Sequence, residues 1–315
     1  MTKKQKKPKR PRRNVVIFLV EGDSELNALS FIISAFYEKN SRLSGKYVDP
    51  VFLKIDYPKN DEEDWDGGDI TSFSYYNFAK RKKVTVNKDK IFEDIDEVFF
   101  GRGFENNKIM YKDIVKIIHL VDLDGAYIPD ECIIEDKRFI ENKNKEKNIF
   151  REDEKFKTWY EEKRIVCNEK EDIKDRNKQK RGNIDFLVDS PSFAAEDIPY
   201  YVYYFSTNLD HFLHTHLKDN QNLKHGQKTD EADKFRSRFK KEGEDVNDYD
   251  FESFVKVFTE DPNSATFNGK DYKSSWDYIK DRRNNPFASL ARGTNFDLFL
   301  NDLYDEYLKA QEEKQ

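Results

Sequence analysis

The chain's 315 residues suit one large domain, or a core domain with an attached lobe. It is 37% hydrophobic and 15% aromatic, so Phe and Tyr must supply much of the core; no stretch approaches the ~18 to 20 apolar residues of a membrane helix, and no secretory signal is visible. Two cysteines without a CxxC pair argue against a disulfide scaffold and a thiolate zinc site, which favours a reducing cytoplasm, and the net charge of −6 is unevenly spread.

Residues 1–13, MTKKQKKPKRPRR, hold eight Lys/Arg and no acid, leaving a body more acidic than the whole. This tail is expected to be disordered. It reads either as a solubilising segment or as an arm for a phosphate backbone or an acidic partner.

Val15 to Val20 is a short, β-branched apolar run and predicts the first strand. A helix should start near Asp23 or Ser24, with Asp23 the favoured N-cap, because Leu26, Leu29, Ile32, Ile33 and Phe36 recur at helical spacing. VFLKI, 51–55, predicts a second strand; 56–69 is an acidic loop with a Gly pair; 88–99 is expected to be helical; 114–121 predicts a third strand. The densely charged stretch 135–185 is expected as exposed helix or helical hairpin inserted into the core. YYVYYFS, 200–206, predicts a fourth strand, followed by helical periodicity in NLDHFLHTHL. Helices are expected near 249–258, 272–282 and 295–310. Alternating strands and helices imply an α/β fold, a parallel sheet flanked by helices, whose ligands lie at the carboxyl ends of the strands. The domain division expected is a tail over 1–13, a catalytic core over 14–217 with a charged insert at about 135–197, and a helical C-terminal lobe over 218–315.

Two strands end on acids. VVIFLVEGDSE runs into Glu21, Asp23 and Glu25, and VKIIHLVDLDGAYI into Asp122 and Asp124. Carboxylates crowded past buried strands repel one another, and a hard divalent cation relieves this, since Mg²⁺ is often held by a few carboxylates plus waters. Asp122 and Asp124 are two apart where the chain turns at Gly125; Glu21 and Glu25 are four apart and share a face if the helix starts early. The plainer alternative is a turn and a helix cap at each strand end. His211, His214 and His216 cluster beside Asp210, but their spacing does not place all three on one helix face, so one histidine near the carboxylates fits better than a histidine metal site. The basic segments KFRSRFKK, 234–241, and DRRNNP, 281–286, are either phosphate contacts or solvated faces, and Tyr200, Tyr201, Tyr203 and Tyr204, alternating along the fourth strand, read as core and sheet surface rather than base-stacking platforms.

VEGDSE followed by HLVDLDG resembles the TOPRIM domain, with its glutamate at the first strand's end and a DxD at a later one. The spacers resemble the OLD and RloB-like branch of bacterial anti-phage proteins. LDHFLHTHL aligns with that branch's FEIWLLLHF: Asp210 stands at the acidic position, Phe212 at the aromatic one and His216 at the histidine. Here Asp replaces the usual Glu and Phe the usual Trp, and STN is displaced from the usual SNP. Late in the chain, NNPFASLARGTNFDLFLNDL loosely echoes the closing helix.

The resemblance implies a Mg²⁺- or Mn²⁺-dependent endonuclease acting on DNA or RNA, transfer RNA included, as the toxic effector of phage defence in the cytoplasm. Glu21 would be general base or metal ligand, Asp122 and Asp124 would hold the metal, and Glu25, Asp210 and His216 would assist. It also implies a separate ABC-type or AAA-type ATPase partner, as this sequence has no Walker A loop. A homo-oligomer is compatible, a membrane partner is not expected. Two other readings stand beside it: a non-catalytic adaptor that keeps the fold for protein contacts, and a haloacid-dehalogenase-like phosphatase using DLDG, which a preceding βαβ unit disfavours.

Overall fold

The structure, a computed structural model, describes residues 13–54, 70–71, 74–77, 82–85, 88–100, 108–138, 158–161, 164–193, 197–206, 209–213, 225–241, 248–281 and 293–314. Nearly all of the basic tail, the acidic loop 56–69, the middle of the charged stretch, His214, His216 and most of DRRNNP lie outside them.

The first apolar run is strand β1, Val15–Val20, with all six residues buried. Burial on both faces is what a parallel strand covered by helices on each side requires. Helix α1, Asp23–Ser44, follows, with Leu29, Ile32, Ile33 and Phe36 turned inward as their spacing predicts, and ends at Gly45 in the left-handed conformation. Strand β2, Asp49–Lys54, pairs parallel with β1. A short antiparallel ladder joins β3, Ser74–Asn77, and β4, Lys82–Thr85. The helical stretch expected over 88–99 is broken into a 3₁₀ turn at Lys88–Lys90, helix α2 at Ile91–Ile95 and a π turn at Asp96–Phe100.

Strand β5, Ile114–Asp122, lies parallel to β1 on the side opposite β2. Strand β10, Ile198–Phe205, lies parallel to β5, and the two-residue β9, Ser192–Phe193, closes that side antiparallel. The order is therefore β2-β1-β5-β10-β9, a mostly parallel sheet with its first strand inside it. All four parallel strands point their carboxyl ends to one edge.

Alternation along the strands divides the core. Val16, Phe18, Val20, Ile118, Leu120, Tyr203 and Phe205 face α1, helix α5 (His225–Ser237), helix α6 (Phe251–Thr259) and helix α8 (Phe296–Glu312). Aromatic edge contacts knit that layer, with Phe36 at 4.5 Å from Phe251 and Phe18 at 5.6 Å from Phe299. Val15, Ile17, Leu19, Ile117, Val121, Val202 and Tyr204 face α2, helix α3 (Lys170–Asp189) and helix α7 (Tyr272–Lys280). Among the described residues no helix is long and apolar enough to cross a membrane.

The stretch 135–185 departs from the exposed insert expected of it. Strands β6 (Ile133–Glu135), β7 (Thr158–Glu161) and β8 (Arg164–Cys167) form a small sheet, and α3 buries Ile173, Asn177, Lys180, Asn183, Ile184 and Leu187. Charge density along the chain concealed this, because the buried face of α3 mixes Ile173, Ile184 and Leu187 with polar residues, of which Asn177 and Asn183 bind backbone carbonyls and Lys180 a carboxylate.

Candidate functional site

The acids of the two strand ends meet at the carboxyl edge. Because β1 and β5 are parallel neighbours, Glu21 and Asp122, a hundred residues apart, stand side by side. The Asp122 backbone N–H donates to Glu21 Oε1 at 3.3 Å. Asp122 in turn accepts, on Oδ1, the backbone N–H of Leu209 at 3.0 Å. Leu209 opens the short helix α4, Leu209–Leu213, so Asp122 ties the ends of β5 and β10 together and brings the backbone of Asp210 to this edge. The Asp210 and His211 side chains are not among the described ones, and His216 lies outside the described residues.

Glu25 is 6% exposed and serves the start of α1. Its Oε2 accepts the Gly22 N–H at 2.9 Å, half of a capping box, and a Cβ at position 22 would sit 3.2 Å from that oxygen. The cap position is Gly22, not Asp23 as predicted from the sequence. Asp23 is the first helical residue and pairs with Lys54 Nζ at 2.5 Å at the end of β2. An acid there meets the helix dipole without having to cap it.

Asp124 turns another way. It has φ +46°, and Gly125 after it φ +72°, two left-handed residues in succession that swing the chain toward α3. Asp124 Oδ2 accepts from Lys180 Nζ at 2.7 Å; the lysine side chain is 1% exposed and the carboxylate 34%. The same helix face holds the whole turn. Arg176 donates to the Asp124 carbonyl at 3.0 Å, Asn177 to Gly125 O at 3.1 Å and Arg181 to Ala126 O at 2.6 Å, while Tyr127 donates to Asp185 at 2.7 Å. Burial and the Asp185 carboxylate together push the Tyr127 phenol well above its ordinary range. Sequence reasoning missed these three cations and the asparagine among them. Their spacing at 176, 177, 180 and 181 is a helical face, but nothing local says that the face meets a turn fifty residues earlier.

Among the described residues no group of three or more His, Cys, Asp or Glu side chains is placed to hold a metal ion. What the edge brings together is the Glu21 carboxylate and the Asp122 backbone N–H, with the Asp122 carboxylate turned to the Leu209 N–H. Carboxylate oxygens are the hard donors that Mg²⁺ or Mn²⁺ takes together with waters; all four acids have partners within the chain, Glu21 and Asp122 in backbone N–H groups, Asp124 in Lys180 and Glu25 in Gly22.

Of the other candidates, Arg236 lies 4.3 Å over the Phe31 ring and pairs with Asp233, and Lys234 pairs with Glu231, so these cations of KFRSRFKK have partners within the chain. Tyr200, Tyr203 and Tyr204 are buried and Tyr201 is exposed, the mixture of core and sheet surface that the strand's alternation expects.

No family profile, no curated protein and no solved structure matches this chain.

Proposed function

We propose that the chain is a divalent-cation-dependent phosphodiesterase that cleaves nucleic acid at the carboxyl edge of its parallel sheet. One observation supports the reading: the Glu21 side chain reaches the end of β5, where its Oε1 accepts the Asp122 backbone N–H at 3.3 Å, although nothing local in the sequence joins the two residues. Asp124 is paired with Lys180 and Glu25 serves a helix start, which leaves Glu21 and Asp122, each bound to a backbone N–H group, as the two acids proposed as ligands. These two would hold Mg²⁺ or Mn²⁺, with Asp210 and His216 as further candidates on the chain that follows β10. When bound, such a cation supplies Lewis-acid stabilisation of charge developing on a phosphodiester. Glu21, only partly buried, is the group placed to accept a proton from attacking water; Asp122 is oriented by the Leu209 N–H.

The finer assignment rests on the resemblance of VEGDSE and VDLDG to TOPRIM domains of the OLD and RloB-like branch. On it, the chain is the toxic endonuclease of an anti-phage system and works with a separate ABC-type or AAA-type ATPase.

The test is incubation of wild type and Glu21→Ala with plasmid DNA and total RNA, with and without Mn²⁺, beside a melting scan of each. Glu21→Ala should lose at least ~100-fold in cleavage, about 2.7 kcal/mol of barrier, keep its fold and lose the Mn²⁺-induced rise in Tm. Full activity in Glu21→Ala removes the mechanism.

A second reading, a non-catalytic adaptor, is favoured by the ion pair of Asp124 with Lys180 and the structural role of Glu25 at the helix start, which leaves fewer carboxylates for a cation. It predicts no Mn²⁺ response in wild type.

A further inference from the structure

Beyond β10 the sheet continues in two single-residue bridges. Thr294 pairs with Phe205, and Ser264 with Thr294. Phe205 is also the register partner of Asp122 on the other side, so these bridges extend the same carboxyl edge. The backbone approach is close: a Cβ on Gly293 would lie 2.8 Å from the Asn263 carbonyl oxygen, and the Ser206 N–H donates to Gly293 O at 2.8 Å. Between the loop 261–270, the end of α7 and Gly293 lies a cavity of about 130 Å³. That is room for roughly four waters at ~30 Å³ each, the scale of a phosphate group.

The described lining of this cavity holds one cation, Lys270, and no carboxylate, in a chain whose net charge is −6. Lys270 Nζ sits 3.2 Å from the centre of the Tyr278 ring, which fixes it against the wall, and among the described residues it makes no ion pair. Burial lowers its pKa, a penalty that a bound anion would relieve. Asn263 also lines the cavity, whereas the Asn268 amide is spent on the carbonyls of Pro262 and Ser264.

We propose that this cavity binds a phosphate group of the nucleic-acid backbone beside the one cleaved at the acidic edge, with Lys270 as its cation and Asn263 as amide donor. The proposal rests on the phosphodiester reading and adds a substrate subsite to it. Lys suits this as a point charge that contacts phosphate irrespective of base.

The experiment is binding of a labelled single-stranded oligonucleotide, as DNA and as RNA, to the full chain in EDTA across a salt series. Wild type, Lys270→Gln, Lys270→Arg and Asn263→Ala are compared. Lys270→Gln should weaken binding several-fold at low salt and reduce the slope of log K against log salt by about 0.7, one phosphate's share on a single strand. Lys270→Arg should restore the slope, and Asn263→Ala should weaken binding without changing it. An unchanged slope in Lys270→Gln, or no oligonucleotide binding by wild type, overturns the subsite. So does Lys270-dependent binding confined to inorganic phosphate or a mononucleotide, since the backbone assignment then fails. Melting scans with Mn²⁺ on the same samples separate the two proposals. A missing metal response alongside Lys270-dependent binding sinks the cation site alone; a metal response abolished by Glu21→Ala, with Lys270 silent in binding, sinks the subsite alone.

Discussion

At the scale of single residues, the ion pair between Lys180 and Asp124 is asymmetric in a way that makes it testable. The ammonium is 1% exposed and the carboxylate 34%. Removing the carboxylate leaves a buried charge without this partner, whereas removing the ammonium leaves a carboxylate that water can reach. Asp124→Asn is therefore expected to cost about 3 kcal/mol, and Lys180→Met, which keeps the stem, roughly 1 to 2 kcal/mol less than that. Urea denaturation of the two variants checks the order; equal losses would mean that water already reaches the ammonium. Asp297 offers a pH test. It is fully buried, and desolvation raises its pKa above the ordinary 3.8 despite the Thr266 N–H donated to Oδ2. A raised carboxyl pKa means that the folded state holds the proton more tightly than the unfolded chain. Its favourable contribution is present below 3.8 and is lost as pH rises through the folded value. Asp297→Asn, neutral throughout, should gain stability relative to wild type between pH 4 and pH 7. A Tm difference independent of pH would contradict the sign.

At the scale of elements, the Thr294–Asn295 pair does for β10 what another strand would do. Asn295 Oδ1 accepts the Tyr204 N–H at 2.8 Å and Thr294 Oγ1 donates to the Tyr204 carbonyl at 2.6 Å, so both backbone groups of that residue are satisfied by side chains. Asn295 also donates to Ser275 Oγ at 3.0 Å, which connects the start of α8 to α7. Buried groups deprived of a partner cost about 1–3 kcal/mol each. Asn295→Ala orphans the Tyr204 N–H, while the Ser275 hydroxyl keeps its bond to the Tyr272 carbonyl, and should lower stability by about 1–3 kcal/mol on that basis. Gly293→Ala should destabilise as well, because its Cβ meets a backbone carbonyl that cannot swing aside as a side chain would. Hydrogen exchange at the Tyr204 amide reads both: protection should fall in each variant, and unchanged protection would show that the strand does not depend on this seam.

At the scale of the whole molecule, helices α5, α6 and α8, all after residue 217, pack on one face of the sheet, and α7 on the other. Phe251, Phe254, Phe258, Phe296 and Phe299 are all buried in the layer that also holds Phe18 and Phe36. At ~1.5–3 kcal/mol for each fully buried side chain, these five alone rival the ~5–15 kcal/mol net stability of a typical domain. A chain truncated after residue 217 is therefore expected not to fold, and to lack a cooperative melting transition. A sharp transition from that fragment would show that the sheet stands without these helices.

The sequence by itself determined the parts whose signal is local. Six consecutive apolar, largely β-branched residues read as a buried strand, the recurrence of Leu29, Ile32, Ile33 and Phe36 at helical spacing as a helix face, and the strand–helix–strand alternation as a parallel sheet with acids at its carboxyl edge. Which acids share a partner was decided by tertiary structure alone. Parallel pairing of β1 with β5 joined Glu21 to Asp122, while left-handed turns at Asp124 and Gly125 sent the second aspartate to a lysine that charge patterning had assigned to solvent. Periodicity reports whether a side chain is buried; it carries no record of which distant backbone group or charge will satisfy a polar one, and that choice fixed the candidate site.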